Sequence, residues 1–388
     1  MHILILPSEH FMTVNESLGG IFQLQQAKAL LDNDFKVGII GVGFISPREI
    51  LKSNKYSKYE QIDGIPVYRK YIKSILPTRI TGLTYRKQKL FKLFIPIFEK
   101  YIKEHGMPDV VHAHNFLFAG FIAEAIKTKY NIPYIITEHS SAFARGMIDQ
   151  NYNRELTTCA SNAKVVSAVS TPFTKLLTTR LKVHTEVLPN IVDKYFISTD
   201  SNKEDSDKFN FLNIAGFNKN KNQKLLIDAF ADAFKDRKNV FLKIGGYGVL
   251  EGELKNLVKE YSMEDRIIFL GLLTQDRVKE EMDNADCFVL SSNYETFGVV
   301  LIESLACGTP VIATKCGGPE DIVDESNGIL INVGDKSALK RAMHSMYENK
   351  NKYDRKLLSG VTIERFGEKA FVDRVTTLYN RALEGDKS

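Results

Sequence analysis

Residues 291–320 read SSNYETFGVVLIESLACGTPVIATKCGGPE. The apolar run Cys287-Phe-Val-Leu290 just before them predicts a buried strand, and Ser291 to Thr296 predicts a polar loop. Gly298 then opens a short apolar helix that closes at Gly308, with Pro310 as a stop signal, and Val311-Ile-Ala-Thr314 is the next strand. Two acids bracket the helix start, Glu295 in the loop and Glu303 inside the helix. At ~1.5 Å of rise per residue, Glu303 lies only about 7.5 Å along the axis from Gly298. Both acids can therefore address one ligand lying across the helix N-terminus.

That arrangement has a chemical use. First-turn N–H groups have no partner within their helix, and the helix dipole favours negative charge there. A sugar and a diphosphate can take those N–H groups, while a carboxylate inside the helix accepts hydrogen bonds from the vicinal hydroxyls of a ribose. The plainer alternative puts Glu295 in an exposed loop and Glu303 on a solvated helix face. Glu303 stands between Ile302 and Leu305 in a helix with hardly any other charge, which argues against that alternative.

Glu295, seven residues, Glu303, then Ala306-Cys-Gly-Thr-Pro-Val311 and Gly317-Gly-Pro-Glu320 form a long composite signature. It resembles that of glycosyltransferase family 4, retaining enzymes of GT-B fold. The resemblance covers nearly the whole chain and is densest from Asn210 to Asp335. It implies an α/β architecture, two Rossmann-like parallel-sheet domains facing a central cleft. It also implies a nucleotide-diphosphate sugar as donor.

Composition sets the outer bounds. The chain has 388 residues, 44% hydrophobic and 26% charged, which suits two ordinary globular domains. Cys159, Cys287, Cys307 and Cys316 have no metal-ligand spacing and read as buried, reduced thiols. Met1 to Leu6 is too short for a signal peptide, and no run approaches the ~20 apolar residues of a membrane span. A cytoplasmic protein is expected, either free or peripheral at the inner face of a membrane.

The net charge of +5 hides an asymmetry: residues 1–195 carry +9 and the remainder −4. Between Tyr68 and Lys103 stand Arg69, Lys70, Lys73, Arg79, Arg86, Lys87, Lys89, Lys92, Lys100 and Lys103 against Glu99 alone, with aromatics interleaved. No nucleic-acid module accompanies them, so nucleic acid is not an expected partner. An anionic membrane surface is; the alternative is a solvated helix whose aromatics face a core.

Taken in order, residues 2–6 predict a strand, Gly19-Gly20 a glycine pair before the helix of Ile21 to Leu31, and Phe35 to Ile40 a second strand. The pair lets the backbone approach a ligand, and a simple turn accounts for it equally well. Gly41-Val-Gly43 lacks the third glycine of a dinucleotide fingerprint and reads as a loop. Asp109 to His114 and Ile132 to His139 predict strands, with a helix from Phe116 to Lys127 between them. Ligands bind beyond the carboxyl ends of such strands, so His114 and His139 are placed to function. The match of Thr137-Glu-His139 to the family's active-site histidine singles out His139; His112 and His114 read as structural. Arg145 follows in the same loop, as a phosphate partner or a solvated cation.

Val187-Leu-Pro-Asn-Ile-Val-Asp193 resembles the family's junction leaving a first domain, and the polar run Ser198 to Lys208 reads as linker. The expected domains are 1–195 on the acceptor side, a linker at 196–208, a nucleotide-sugar-binding domain at 209–362, and a helix at 363–388 returning to the first domain. Strands at Phe211–Ala215, Val240–Ile244, Ile267–Leu270 and Gly328–Ile331 join those already named. By resemblance, Lys221 holds the donor diphosphate. The family's arginine before it is missing, with Phe217 and Asn218 in its place, and Lys219 is the available substitute. Gly246 in Gly245-Gly-Tyr-Gly248 either lets the backbone approach the nucleotide or makes a plain turn.

The expected function is metal-independent, retaining transfer of a sugar to a saccharide or lipid-linked saccharide, in envelope polysaccharide assembly and without a cofactor. Glu295, His139 and Lys221 carry the catalytic roles. Gly19, Gly20, Lys219, Gly246, Phe297, Gly298, Val299 and Glu303 bind the donor. Two alternatives share the features: a GT-B nucleotide-sugar epimerase, which needs further acids, and a non-catalytic nucleotide-sugar-binding protein.

Overall fold

The computed structural model describes residues 1–7, 20–45, 57–73, 82–197 and 207–384. The chain divides into two compact units, one made of residues 1–191 with 369–388, the other of 192–368. Gly19 and most of the expected linker lie outside the described residues. No described helix is long and apolar enough to cross a membrane.

The first unit holds strands β1 (His2–Leu6), β2 (Lys36–Ile45), β3 (Ser57–Ile62), β4 (Ile65–Lys73), β5 (Val110–His114), β6 (Tyr134–Glu138), β7 (Val165–Ala168) and β8 (Glu186–Val187). They form one sheet in the order β3-β4-β2-β1-β5-β6-β7-β8, parallel except for the β3–β4 hairpin. β1, β5 and β6 are buried along their whole length. That is why they do not alternate: apolar residues run together in Ile3–Leu6, Val110–Val111 and Tyr134–Ile136, and polar side chains are confined to His2 and to the carboxyl halves of β5 and β6. Helix Glu368–Leu383 belongs to this unit: Phe371, Val375, Leu378 and Tyr379 pack into the core with Ile3, Ile39 and Val110.

Three local readings are corrected. Gly41 and Gly43 do not make a loop; they extend β2, paired opposite Arg69 and Tyr71 of β4. The ladder continues because β4 supplies a partner strand where none was read. The basic segment from Tyr68 is not one helix: it begins in β4 and resumes, after residues 74–81 outside the description, in helix Leu83–His105. The helix expected from Phe116 begins at Phe121. Phe116 gives its backbone N–H to Glu138 Oε2 at 2.9 Å, and Phe118 is held at φ 66°, so residues 116–120 form an irregular turn.

The second unit holds β9 (Phe209–Ile214), β10 (Val240–Gly245), β11 (Ile267–Gly271), β12 (Cys287–Leu290), β13 (Val311–Thr314) and β14 (Gly328–Ile331). The sheet order is β11-β10-β9-β12-β13-β14, parallel throughout. The chain winds outward from β9 in one direction and from β12 in the other. This order has its topological switch between those two strands, where a doubly wound sheet binds ligands beyond its strand ends. All four cysteines are free and buried in the two units.

Candidate active site

Because β9 and β12 are neighbours, the loops leaving their carboxyl ends meet. The meeting is stapled by short polar side chains. Asn218 Oδ1 accepts from the backbone N–H of Asn220 at 3.0 Å and of Lys221 at 3.3 Å, fixing the first loop as a turn. Asn220 Nδ2 donates to Tyr294 O at 3.0 Å, Asn293 Nδ2 to Lys219 O at 2.9 Å, and Ser291 Oγ to Lys221 O at 2.9 Å. Each of these last three bonds spans 70 or 74 residues of sequence, so nothing local announces it.

The staples bring Lys221 and Glu295 together. Lys221 Nζ donates to Glu295 Oε1 at 2.6 Å, with the side chains only 26% and 14% exposed. Phe217 is turned into the core, edge-on to Phe269. Phe217 and Asn218, which stand where the family arginine is missing, thus serve the core and the turn. Lys219 is exposed, and its ammonium has no partner among the described residues.

Gly298 caps helix Val299–Ala306 at φ 104°, and no side chain occupies the cap. Phe297 is buried against Phe366, so it offers the site only its backbone. The loop is held down by Gly317-Gly318: Gly318 N–H donates to Glu295 O at 2.8 Å. A Cβ on Gly318 would lie 2.1 Å from Phe297 Cα, which is why two glycines stand here. Gly246 has a similar reason. At φ 131° its missing Cβ would meet Ala215 O at 2.0 Å, so the close approach it permits is to the chain's own backbone.

Glu303 sits in the second turn of that helix. Burial, reinforced by the nearby charge of Asp193, pushes its carboxyl up to about 7. Such a group changes charge around neutrality. Among the described residues no three His, Cys, Asp or Glu side chains converge as a metal site.

The remaining candidates lie in the first unit. Gly20 caps helix Ile21–Leu31 at φ 85°. His114 at the end of β5 and His139 just past β6 are brought together by strand pairing: His114 Nδ1 and His139 Nε2 are hydrogen-bonded at 2.9 Å with stacked rings. His112 stacks on His114 and is hydrogen-bonded to Tyr379 and Thr137, both at 2.8 Å. Phe22 packs against the His139 ring, with centroids 4.6 Å apart. Burial pulls His112 and His139 down to about 3 and His114 well below its ordinary value, so all three imidazoles stay neutral. A neutral His139 is a hydrogen-bonding partner for a hydroxyl, not an acid. Its Nδ1 and His114 Nε2 are buried without partners among the described residues. Burial also pushes Glu138 up to about 7, against the backbone N–H groups of Phe116 and Ser140 that it accepts. Arg145 is exposed at the end of the short helix Ser141–Ala144.

Comparison with known proteins places the chain in a family. Residues 24–195 match the model for Glycosyltransferase Family 4, and residues 196–357 that for Glycosyl transferases group 1. The chain is similar to the N-acetyl-alpha-D-glucosaminyl L-malate synthase of Bacillus anthracis, 28% identical over 72% of this chain and 76% of the other. It is also similar to the N-acetylgalactosamine-N,N'-diacetylbacillosaminyl-diphospho-undecaprenol 4-alpha-N-acetylgalactosaminyltransferase of Campylobacter jejuni, 33% identical over 46% of this chain and 51% of the other. Among solved structures, HepE of Anabaena in complex with UDP superposes with a TM-score of 0.73 at 20% identity, covering 98% of this chain and 100% of that one. With two Rossmann-like sheets, a GT-B fold and consecutive matches across both halves, the chain belongs to glycosyltransferase family 4 and is a glycosyltransferase.

Proposed function

We propose that this glycosyltransferase works without a metal, retains anomeric configuration, and moves a sugar from a nucleotide-diphosphate donor to a saccharide or lipid-linked saccharide in envelope polysaccharide assembly. The observation that carries the reading is the Lys221–Glu295 pair at the switch point, beside a helix whose N-terminus no side chain caps. In this reading Lys221 and the backbone N–H groups at Phe297, Gly298 and Val299 take up the charge of the departing diphosphate. Lys219 is the second cation. The bond from the sugar C1 to the diphosphate oxygen breaks, and the acceptor hydroxyl closes on C1 from the face just vacated. Its proton passes to the departing phosphate oxygen, so no enzyme nucleophile is needed. Glu295 holds sugar hydroxyls, Glu303 the ribose diol, and neutral His139 a further sugar hydroxyl. Gly20 and Gly246 shape the donor's surroundings, and Arg145 is a candidate phosphate partner.

The UDP bound to HepE supports a nucleotide donor. The diphospho-undecaprenol in the Campylobacter enzyme's name supports a lipid-linked acceptor, and the malate in the Bacillus enzyme's name supports a small soluble one. The charge of the first unit favours the lipid. Arg69 and Arg86 are buried, and Tyr68, Phe94 and Phe98 face the core, but Lys70, Lys89, Lys92, Lys100 and Lys103 point outward. Near an anionic surface each contributes about 1 kcal/mol.

A panel of nucleotide-diphosphate sugars read by thermal stabilisation finds the donor; saturation at 100 times Kd adds about 2.7 kcal/mol. Turnover in EDTA and the product's anomeric configuration by NMR then test the chemistry. An inverted product, or activity lost in EDTA and restored by Mg²⁺, would overturn the reading.

A further inference from the structure

The β5–β6 ladder ends with His114 opposite Thr137, and the chain just past it brings two imidazoles into one hydrogen bond, His114 Nδ1 to His139 Nε2 at 2.9 Å. Both rings are neutral. Two neutral imidazoles carry two ring protons on four nitrogens, and one of those protons lies in the shared bond. The other sits on an outer nitrogen. If His114 donates, His139 keeps Nδ1–H and His114 Nε2 is a bare lone pair. If His139 donates, His114 keeps Nε2–H and His139 Nδ1 is bare.

Two observations choose the first arrangement. His114 is fully buried, and its Nε2 has no partner among the described residues. Buried N–H groups without an acceptor are rarer in proteins than unmatched acceptors, so a bare Nε2 suits this place better than Nε2–H. The second observation is Asn190. Its Oδ1, which can only accept, is buried and also short of a full hydrogen bond. The Asn190 side chain acts on His139 as an acceptor does, resisting the fall that burial imposes on the imidazole. With Nε2 engaged by His114, the nitrogen left for that oxygen is Nδ1, where an N–H attracts it and a lone pair repels it.

The ring planes are fixed as well. His112, hydrogen-bonded at both nitrogens, stacks on His114 with centroids 4.4 Å apart, and His114 stacks on His139 with 21° between the planes. A ring held in plane, with one nitrogen committed, presents its other nitrogen in one direction and one protonation state.

We propose that His114 is a positioning residue for the transfer: by donating to His139 Nε2 it fixes the neighbouring ring as the Nδ1–H tautomer, so that His139 meets the transferred sugar as a hydrogen-bond donor. The meeting with the sugar rests on the reading given above; the place of the proton belongs to the free protein. The group such a donor suits is a sugar oxygen, hydroxyl or carboxylate, whereas a sugar ammonium is refused.

The full chain labelled with 15N-histidine gives long-range 1H–15N correlations that separate bare from protonated ring nitrogens, and His139→Gln and His114→Asn assign the two rings. In the free wild type, His139 carries its proton on Nδ1 and none on Nε2. His114→Asn places an amide N–H where Nδ1–H stood and keeps that tautomer. His114→Asp places only an acceptor there and moves the His139 proton to Nε2. With the sugar nucleotide that stabilises the protein most in the donor panel, His114→Asp lowers kcat/KM by about 10–100-fold, the usual loss when the group orienting a working imidazole is removed. His114→Asn recovers most of that loss, and affinity for the free nucleotide diphosphate is unchanged in both. Circular dichroism and thermal midpoint check the fold of each variant; if His114→Asp does not fold, the wild-type and His114→Asn spectra decide. A wild-type proton on His139 Nε2 overturns the proposal, as do Asn and Asp variants with one tautomer and equal losses. A chain that no sugar nucleotide stabilises overturns the donor reading instead, and the spectrum still decides the tautomer.

Discussion

In the proposed reading, Glu303 makes nucleotide affinity a function of pH, with a sign and size that follow from its raised carboxyl. Its carboxyl is raised to about 7, chiefly by burial, so the ionised fraction grows as pH rises through neutrality. A ribose diol donates to the ionised form, and hydrogen bonds to a charged acceptor contribute about 1.5–3 kcal/mol against 0.5–1.5 for neutral ones. With only the ionised fraction fully competent, the apparent Kd scales inversely with that fraction. The fraction is about one-eleventh at pH 6 and about ten-elevenths at pH 8, so affinity should rise by up to about tenfold across that range. The histidines near His139 remain neutral throughout and add no slope. Isothermal titration with an intact sugar nucleotide avoids a terminal phosphate that itself titrates near 6. Glu303→Gln should bind weakly with a flat profile, which also separates Glu303 from Glu138, the other buried acid near 7. A flat wild-type profile, or an equal slope in Glu303→Gln, would refute the assignment.

Lys221→Ala should lower kcat by about 10²–10³, on the scale of a lost preorganised donor, while Lys219→Ala should cost under tenfold. The reverse order in steady-state kinetics would mean the exposed lysine is the working one. Gly318→Ala should destabilise the second unit by about 1–3 kcal/mol, since a Cβ would lie 2.1 Å from Phe297 Cα; an unchanged urea midpoint would contradict that packing. Glu138 has its own signature. Because its folded value is raised above the ordinary 4.5, its burial costs nothing below 4.5 and progressively more as pH rises to about 7. Glu138→Gln should therefore gain on the wild type by up to about 3 kcal/mol between pH 4.5 and 7 in denaturation experiments, on top of a fixed offset for lost hydrogen bonds. A pH-independent difference would mean the carboxyl is not raised.

The second unit was the more legible in sequence. Cys287–Leu290, Val311–Thr314 and Gly328–Ile331 were read to the residue: the first two are buried along their whole length and so are apolar save for Thr314, and the third is a short apolar edge strand. The β3–β4 hairpin was missed although Asp63-Gly64 joins its strands with positive φ at both positions, the favoured geometry for a two-residue turn. Ser57-Lys-Tyr-Glu-Gln-Ile62 is an edge strand dressed in charge, so its composition hid it. Missing β4 then made Gly41-Val-Gly43 look like a loop. Among the candidate site residues, Glu295, Glu303 and Lys221 were singled out from spacing within one motif or by resemblance, and the structure brings Lys221 and Glu295 together. The asparagines that hold two loops together, and the pairing of His114 with His139, follow from strand order and so could not be read from any single segment.

The Lys221–Glu295 pair has two possible meanings, because the acid neutralises the cation that the proposed mechanism assigns to the leaving diphosphate. Two accounts differ in their consequences. In the first, Glu295 competes with phosphate for the ammonium, and removing it should tighten nucleotide binding. In the second, Glu295 holds a flexible lysine in its working position before the donor arrives, so the ordering cost is not met in the transition state. The geometry favours the second. Among the described residues only Oε1 is engaged, at 2.6 Å, and the acid's own backbone is pinned by Cys316 O and by Gly318 N–H, so the pair is a fixed platform rather than a swinging contact. An ammonium has three protons to give, and one bond to Glu295 leaves two for phosphate oxygens. The two side chains should then act as a unit. In a double-mutant cycle on kcat/KM, Lys221→Ala with Glu295→Ala should lose little more than Lys221→Ala alone, a coupling of about 1–3 kcal/mol. Additive losses would mean that Glu295 acts on the sugar independently of Lys221, and nucleotide binding tightened by Glu295→Ala would make it a competitor instead.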